Sequence, residues 1–182
     1  MRDSPYVRRV AISMKLMGLP FEHERVSVFR HMDRFREINP VIKAPSFICD
    51  DGTVLMDSTL ILDYLEHCVA AGNGLMPPGG EPRKAALRLI GISMAANEKN
   101  VAMVYEKNQR PADKRHQPWL DRAVEQVHAA MAMLEEAVEG AKPWLGGERV
   151  NAAEIPASRY PALVAYSARA EALPEFAAVP LD

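Results

Sequence analysis

Cysteine is scarce in this chain of 182 residues, with only Cys49 and Cys68. They have neither a C-x-x-C nor a metal-ligand spacing, and each sits among apolar residues. Both are therefore expected as buried, reduced thiols, which suits a reducing cytosol. The histidines, His23, His31, His67, His116 and His128, do not stand at a metal-ligand spacing from a second His, a Cys or a carboxylate pair, so no metal centre is expected. No apolar run approaches the length of a membrane span. Met1-Arg2-Asp3 is followed at once by a helix signal, which leaves no room for a secretory leader, and the expected location is the cytoplasm. A surplus of charge is missing too: 22 Lys and Arg against 24 Asp and Glu give a formal net charge of -2. General attraction to nucleic acid or anionic lipid is thereby excluded. Internal repeats are absent.

What remains is the composition of a globular chain, 48% hydrophobic and 25% charged. Its length suits one large domain or two small ones sharing an interface. Arg8, Arg9, Arg25, Arg30, Arg34, Arg36 and Lys43 crowd the first quarter, a local basic cluster better matched to a small anion than to a polymer. The most informative stretch is Ser4-Pro5-Tyr6-Val7-Arg8-Arg9-Val10. It places a hydroxyl at a helix N-cap and a proline at the first helical position, and a helix end of that kind holds anions. A hydroxyl beside backbone N–H groups also stabilises a thiolate. Val7, Val10, Ala11 and Met14 repeat at the spacing of a buried stripe, and Gly18 with Leu19-Pro20 ends the helix.

The first half of the chain alternates element types. Phe21 to Phe29, with Val26 and Val28 set against Glu24, Arg25 and Ser27, predicts a strand. His31 to Ile38 reads as a short irregular helix. Pro45 to Cys49 and Thr53 to Met56 flank Asp50-Asp51-Gly52 and predict a β-hairpin, because Asp-Gly supplies a turn with positive φ. Asp57-Ser58 caps a helix whose Leu60, Ile61, Tyr64, Leu65 and Cys68 are expected on one face. Four glycines and three prolines between Ala71 and Pro82 form a linker. Beyond it the pattern is helical throughout. One long helix carries Ala86, Leu89, Ile90, Ser93 and Met94 and ends near Lys107. A second starts at Pro118 and runs through Leu134 to Val138, and a short third covers Pro161 to about Ala172. Met94, Met103, Met131 and Met133 read as core, or as the lining of an adaptable apolar pocket. Tyr105, Trp119 and Trp144 read as core or interface. The layout is α/β plus all-α, with a domain over residues 1–75 and a helical one over 82–182.

Four segments resemble the cytosolic glutathione transferases, specifically the bacterial and plant members with an active-site serine. Ser4 to Val10 resembles their active-site helix start. Asn39-Pro40-Val41-Ile42-Lys43-Ala44-Pro45 resembles their cis-proline loop. Asp57-Ser58-Thr59-Leu60-Ile61-Leu62-Asp63-Tyr64-Leu65 resembles their acidic-Ser helix start, and Trp144-Leu145-Gly146-Gly147 their helical-domain turn. The chain departs from the pattern twice. Only Met1-Arg2-Asp3 precede Ser4, where members begin with a strand. After Asn151-Ala152-Ala153-Glu154, where members continue into a core helix, it passes from Ile155-Pro156 almost directly to Arg159-Tyr160-Pro161.

The resemblance implies a thioredoxin-like N-terminal domain followed by an all-helical C-terminal domain, glutathione as co-substrate, a small electrophile as second substrate, and a homodimer. A thiol such as glutathione's has a pKa near about 8.5, and lowering it by two units takes about 2.7 kcal/mol of preferential stabilisation of the anion. A donating serine hydroxyl backed by a helix N-terminus is of that size. On this reading Ser4 donates to the sulfur and is not itself the nucleophile. Ala44, before Pro45, offers backbone groups to the cysteinyl residue if the Ala44-Pro45 bond is cis. Asp57 holds the γ-glutamyl amine, Ser58 and its helix N-terminus hold the carboxylate, and Lys43 with Arg30 pairs the glycyl carboxylate. Local sequence alone also reads Ser4, Asp57 and Ser58 as plain helix caps, and Lys43 and Arg30 as solvated charges. The alternative at the level of function is a non-catalytic binding or regulatory relative. A disulfide reductase is disfavoured, because it would prefer cysteine at position 4.

Overall fold

A computed structural model gives the fold and describes residues 4–70, 72–139 and 161–179. The segment before Ser4, the turn at Trp144-Leu145-Gly146-Gly147 and the passage from Asn151 to Tyr160 lie outside the described residues. The chain divides into two compact units, Met1–Leu75 with Ala172–Asp182, and Met76–Glu171.

The first unit opens with α1 (Pro5–Leu16). Ser4 is extended and accepts the Val7 N–H at 3.5 Å, while Pro5 takes the first turn, where a missing N–H costs nothing. Val10, Ala11 and Met14 are buried, as their spacing predicts. The chain leaves the helix at Gly18, whose φ of +72° suits a residue without a Cβ. The strand predicted over Phe21 to Phe29 does not form. Ser27 instead starts a turn. Its hydroxyl accepts the N–H groups of Phe29 and Arg30, its N–H donates to His31 Nδ1, and its carbonyl accepts the His31 N–H. Such local bonding competes with a ladder, and among the described residues no strand pairs with this segment. Val26 is buried nonetheless.

After the short α2 (Met32–Ile38) comes the predicted hairpin, β1 (Ser46–Ile48) antiparallel to β2 (Val54–Met56) with Phe47 opposite Leu55. Gly52, at φ +84°, makes its turn. Helix α3 (Ser58–Cys68) follows, capped by Asp57. Its inner face differs from the expected one. Ser58, Ile61, Leu62 and Leu65 are buried, whereas Leu60 is 65% and Tyr64 44% exposed. Leu60, Tyr64 and Cys68 form a second stripe, about 100° round the helix from the first. Both stripes are apolar, so periodicity does not say which one faces inward. The expectation of buried thiols fails for the same reason: Cys68 is exposed on the outer stripe, and Cys49, at the hairpin turn, is only partly covered. Val10, Met14, Met17, Ile61, Leu62 and Leu65 form the core of this unit.

A short helix, α7 (Pro174–Ala177), completes the unit by packing on α1. Arg8 holds it there. Its Nε donates to the Val179 carbonyl at 3.0 Å, and its guanidinium lies 5.8 Å from the centre of the Phe176 ring. The last described residues thus belong with the first unit, although the sequence groups everything after residue 82 with the helical one.

The second unit is built on α4 (Gly80–Asn108) and α5 (Gln117–Glu139), packed against each other, with α6 (Pro161–Glu171) against α5. Ala86, Leu89, Ile90, Ser93 and Ala96 of α4 are buried, as are Leu120, Ala123, Ala130, Met131, Leu134 and Val138 of α5. Met133, Tyr105 and Trp119 are exposed, so helical phase rather than residue type decides burial here. Buried Glu106 ties the connection between the two helices, accepting Arg110 Nε at 2.8 Å and the His116 N–H at 3.2 Å.

Candidate functional site

Ser4 and Arg9 on α1, the loop from Asn39 to Pro45, and the start of α3 carry the polar residues that sequence analysis singles out. Their backbones are unusual. The Ala44-Pro45 bond is cis, and Ile42 and Asp57 have φ of +53° and +75°. Left-handed backbone is costly for any side chain and most so for a β-branched one, so Ile42 is held there by its surroundings. Asn39 does much of the holding. Buried, it donates from Nδ2 to Ser46 Oγ at 2.9 Å and accepts the Val41 N–H at 3.0 Å, while Ser46 Oγ donates to the Lys43 carbonyl at 2.8 Å. Among the described residues, no hydrogen bond occupies the N–H or C=O of Ala44.

Asp57 combines two functions. Its Oδ1 accepts the Thr59 N–H at 2.9 Å, capping α3, and its Oδ2 lies 3.4 Å from Lys43 Nζ. Burial pushes the Asp57 carboxyl up, but the Thr59 N–H, the Lys43 ammonium and the Leu60 N–H outweigh it and hold the group below the usual carboxylate range. Ser58 is buried directly behind. Its Oγ accepts from Arg9 Nη1 at 3.3 Å, and the same nitrogen donates to Thr59 Oγ1 at 3.0 Å. Burial draws the Arg9 pKa down, opposed by the Asp57 carboxylate, and a guanidinium stays charged regardless.

The structure therefore brings Lys43, Asp57 and Ser58 together at the start of α3 and keeps Ser4 on the neighbouring helix, whose Arg9 reaches across. Arg30 is not brought in. It sits in the Ser27 turn with an exposed side chain, and no side-chain bond links it to the others among the described residues. Sequence reasoning missed Arg9, Thr59 and Asn39 as site residues. A signal existed for Asn39, since Asn before Pro often starts an Asx turn. One existed for Arg9 as well: adjacent arginines on a helix diverge by about 100°, so one of the pair flanks the buried stripe. Among the described residues, no group of three or more His, Cys, Asp or Glu side chains converges to hold a metal ion.

The chain has known counterparts. Residues 1–72, which include every candidate site residue, match the family "Glutathione S-transferase, N-terminal domain". Over nearly the whole chain, the fold matches the crystal structure of a glutathione S-transferase from Methylobacterium radiotolerans in complex with glutathione sulfonate. There the TM-score is 0.87 at 26% identity, covering 99% of this chain and 92% of the other. Residues 1–72 are thus a glutathione S-transferase N-terminal domain. That domain and the structural match give the architecture as a thioredoxin-like N-terminal domain followed by a helical one. A glutathione transferase family member from Pseudomonas fluorescens Pf-5, solved with bound glutathione, matches at a TM-score of 0.84 and 25% identity, covering 100% of this chain and 97% of that one. Among curated relatives, glutathione S-transferase U4 of Arabidopsis thaliana is 26% identical over 148 residues, 81% of this chain. The match spans 62% of that relative's length. Among the described residues, no helix is long and apolar enough to cross a membrane.

Proposed function

We propose that this protein binds glutathione in its first unit and conjugates it to small electrophiles, with Ser4 stabilising the thiolate. The reading is carried by the Ser4 hydroxyl, partly exposed at the capped start of α1. Ser4 Oγ accepts from Val7 with a lone pair, which leaves its own proton to donate to sulfur. The positive end of the α1 dipole adds to that donation. Together they favour the thiolate, which attacks an electrophilic carbon. A carbon–sulfur bond forms, the leaving group departs with its electron pair, and the thiol proton has already passed to solvent.

The rest of the site positions the tripeptide. Ala44 pairs with the cysteinyl backbone, as one extended strand pairs with another. Asp57 takes the γ-glutamyl ammonium, and Ser58 with the first turn of α3 takes its carboxylate. Lys43 faces the glycyl carboxylate once the arriving ammonium displaces it from Asp57; Arg30 assists only by moving from its present turn. Spacing supports this division. Arg9, level with the start of α3, lies five residues or about 7.5 Å along α1 from Ser4, a little over two residues of extended chain. The working form is a homodimer in the cytoplasm.

Replacing Ser4 by Ala tests the reading. The thiolate absorbance of bound glutathione at pH 7 should disappear, and kcat/KM with a chloronitrobenzene should fall by about 100-fold, as two pKa units imply. Stability should drop by only about 1 kcal/mol, the value of a lost cap. Wild-type protein that binds no glutathione at millimolar concentration would overturn the proposal.

A further inference from the structure

A guanidinium donates hydrogen bonds and accepts none. Arg9 Nη1 is within 3.3 Å of Ser58 Oγ and 3.0 Å of Thr59 Oγ1, so each hydroxyl spends a lone pair on it. Each hydroxyl proton must then point away from Arg9. Ser58 is the first residue of α3, so its hydroxyl sits beside the free backbone N–H groups at the mouth of that helix. A buried serine with a free rotor would otherwise be equally able to turn its oxygen toward that mouth, where it would repel an anion. Arg9 thus takes one of the two Ser58 lone pairs and leaves the hydroxyl proton free to donate at that mouth.

Charge acts in the same direction. Arg9 and Lys43 place two cations around the single Asp57 carboxylate, and the dipole of α3 adds partial positive charge. Asp57 answers one ammonium, and the remaining positive potential answers one carboxylate. An α-amino-acid head carries that pair of charges on one carbon.

We propose that Arg9 is a positioning residue that makes the start of α3 selective for the free α-carboxylate of a γ-glutamyl head. It acts through the Ser58 and Thr59 hydroxyls and need not touch the ligand itself. The inference rests on the glutathione reading given above. It separates that head from acyl-Cys-Gly peptides that lack the α-carboxylate, a discrimination that Ser4 and Ala44 cannot supply because they face the cysteinyl residue.

The test compares two ligands by calorimetry on intact protein, glutathione and 4-aminobutanoyl-Cys-Gly, which is glutathione without the α-carboxylate. Arg9→Met should weaken glutathione by about 10- to 100-fold, the range for a lost charge-assisted bond, and the analogue by less than about 2-fold. KM for glutathione should rise, while the thiolate absorbance at saturation stays at its wild-type value, because Ser4 is untouched. Arg9→Lys keeps the charge but not the fork, and should recover only part of the glutathione affinity. It also serves as the readout should the methionine variant fail to fold. Equal weakening of both ligands would show a merely structural tie between α1 and α3 and overturn the proposal, as would no weakening of either. Wild-type protein that binds neither ligand would instead overturn the glutathione reading itself.

Discussion

Helices α4 and α5 run for 29 and 23 residues, whereas the longest element of the first unit, α1, has 12. The two units use their residues accordingly. In the helical unit the important positions repeat one pattern, and Leu134 or Ala123 matters through what it fills. In the first unit the polar residues of interest stand where regular structure stops: Ser4 before α1, Lys43 and Ala44 before β1, Asp57 between β2 and α3. Such breaks expose backbone donors and acceptors that a continuous helix would consume internally, and a ligand can use them. Both non-glycine residues with positive φ among the described residues, Ile42 and Asp57, also lie there. The candidate site of this molecule lies at interruptions and its rigidity at repeats.

That division can be broken by pairing core truncations. Leu134→Ala and Ile61→Ala each empty a fully buried site and should each cost about 2–5 kcal/mol in urea unfolding. Only Ile61→Ala should also weaken glutathione binding, because the Ile61 side chain seats the first turn of α3, and with it Asp57 and Ser58, on the core of the first unit. A Leu134→Ala protein that binds glutathione several-fold more weakly while still folded would contradict the comparison.

A smaller effect, of opposite sign, is expected at Ile42. Relief of left-handed backbone is worth about 1–2 kcal/mol, and the added chain entropy of glycine costs about 0.5–1 kcal/mol. Ile42→Gly should therefore raise the urea midpoint slightly, by up to about 1 kcal/mol in stability. A drop would mean that the Ile42 side chain holds the loop more than its backbone strains it.

The smallest effect concerns pH. The Asp57 carboxyl is held below its ordinary range, so its ionised form is favoured by folding. The stability it contributes is complete above the ordinary value of about 3.9 and is lost as pH falls from there through the lowered folded value. Because the Lys43 pair is largely exposed, the amount is under about 1 kcal/mol. Asp57→Asn keeps the cap and tolerates positive φ. The gap in melting temperature between wild type and this variant should be visible at pH 7 and close below about pH 3; a gap that widens in acid would reverse the assignment.

Local signals with one physical meaning were readable from the sequence. Ser4-Pro5 could only begin a helix, Gly18 only end one, and Asp51-Gly52 fold back a hairpin; the two long helices were announced by their period. Signals with two meanings were not. The Phe21–Phe29 alternation fits a strand, but Ser27 diverts the backbone into its own turn. Helix α3 has two apolar stripes, and the residues behind it decide which is inner, which also decided the exposure of Cys68. Arg9 was hidden for a third reason: its partners, Ser58 and Thr59, are nearly fifty residues away, and a pairing over that distance leaves no trace in local pattern.

The clasp between Arg8 and the Phe176–Val179 segment gives this chain a particular order of completion. Synthesis is vectorial, and domains fold as they emerge. Here α1 gains this neighbour only after the 171 residues from Arg8 to Val179 have been made. A ribosome stalled between Leu75 and Pro174 would display a first unit without α7 against α1, and a protease cut just upstream of Pro174 that released this segment would return the protein to that nascent state.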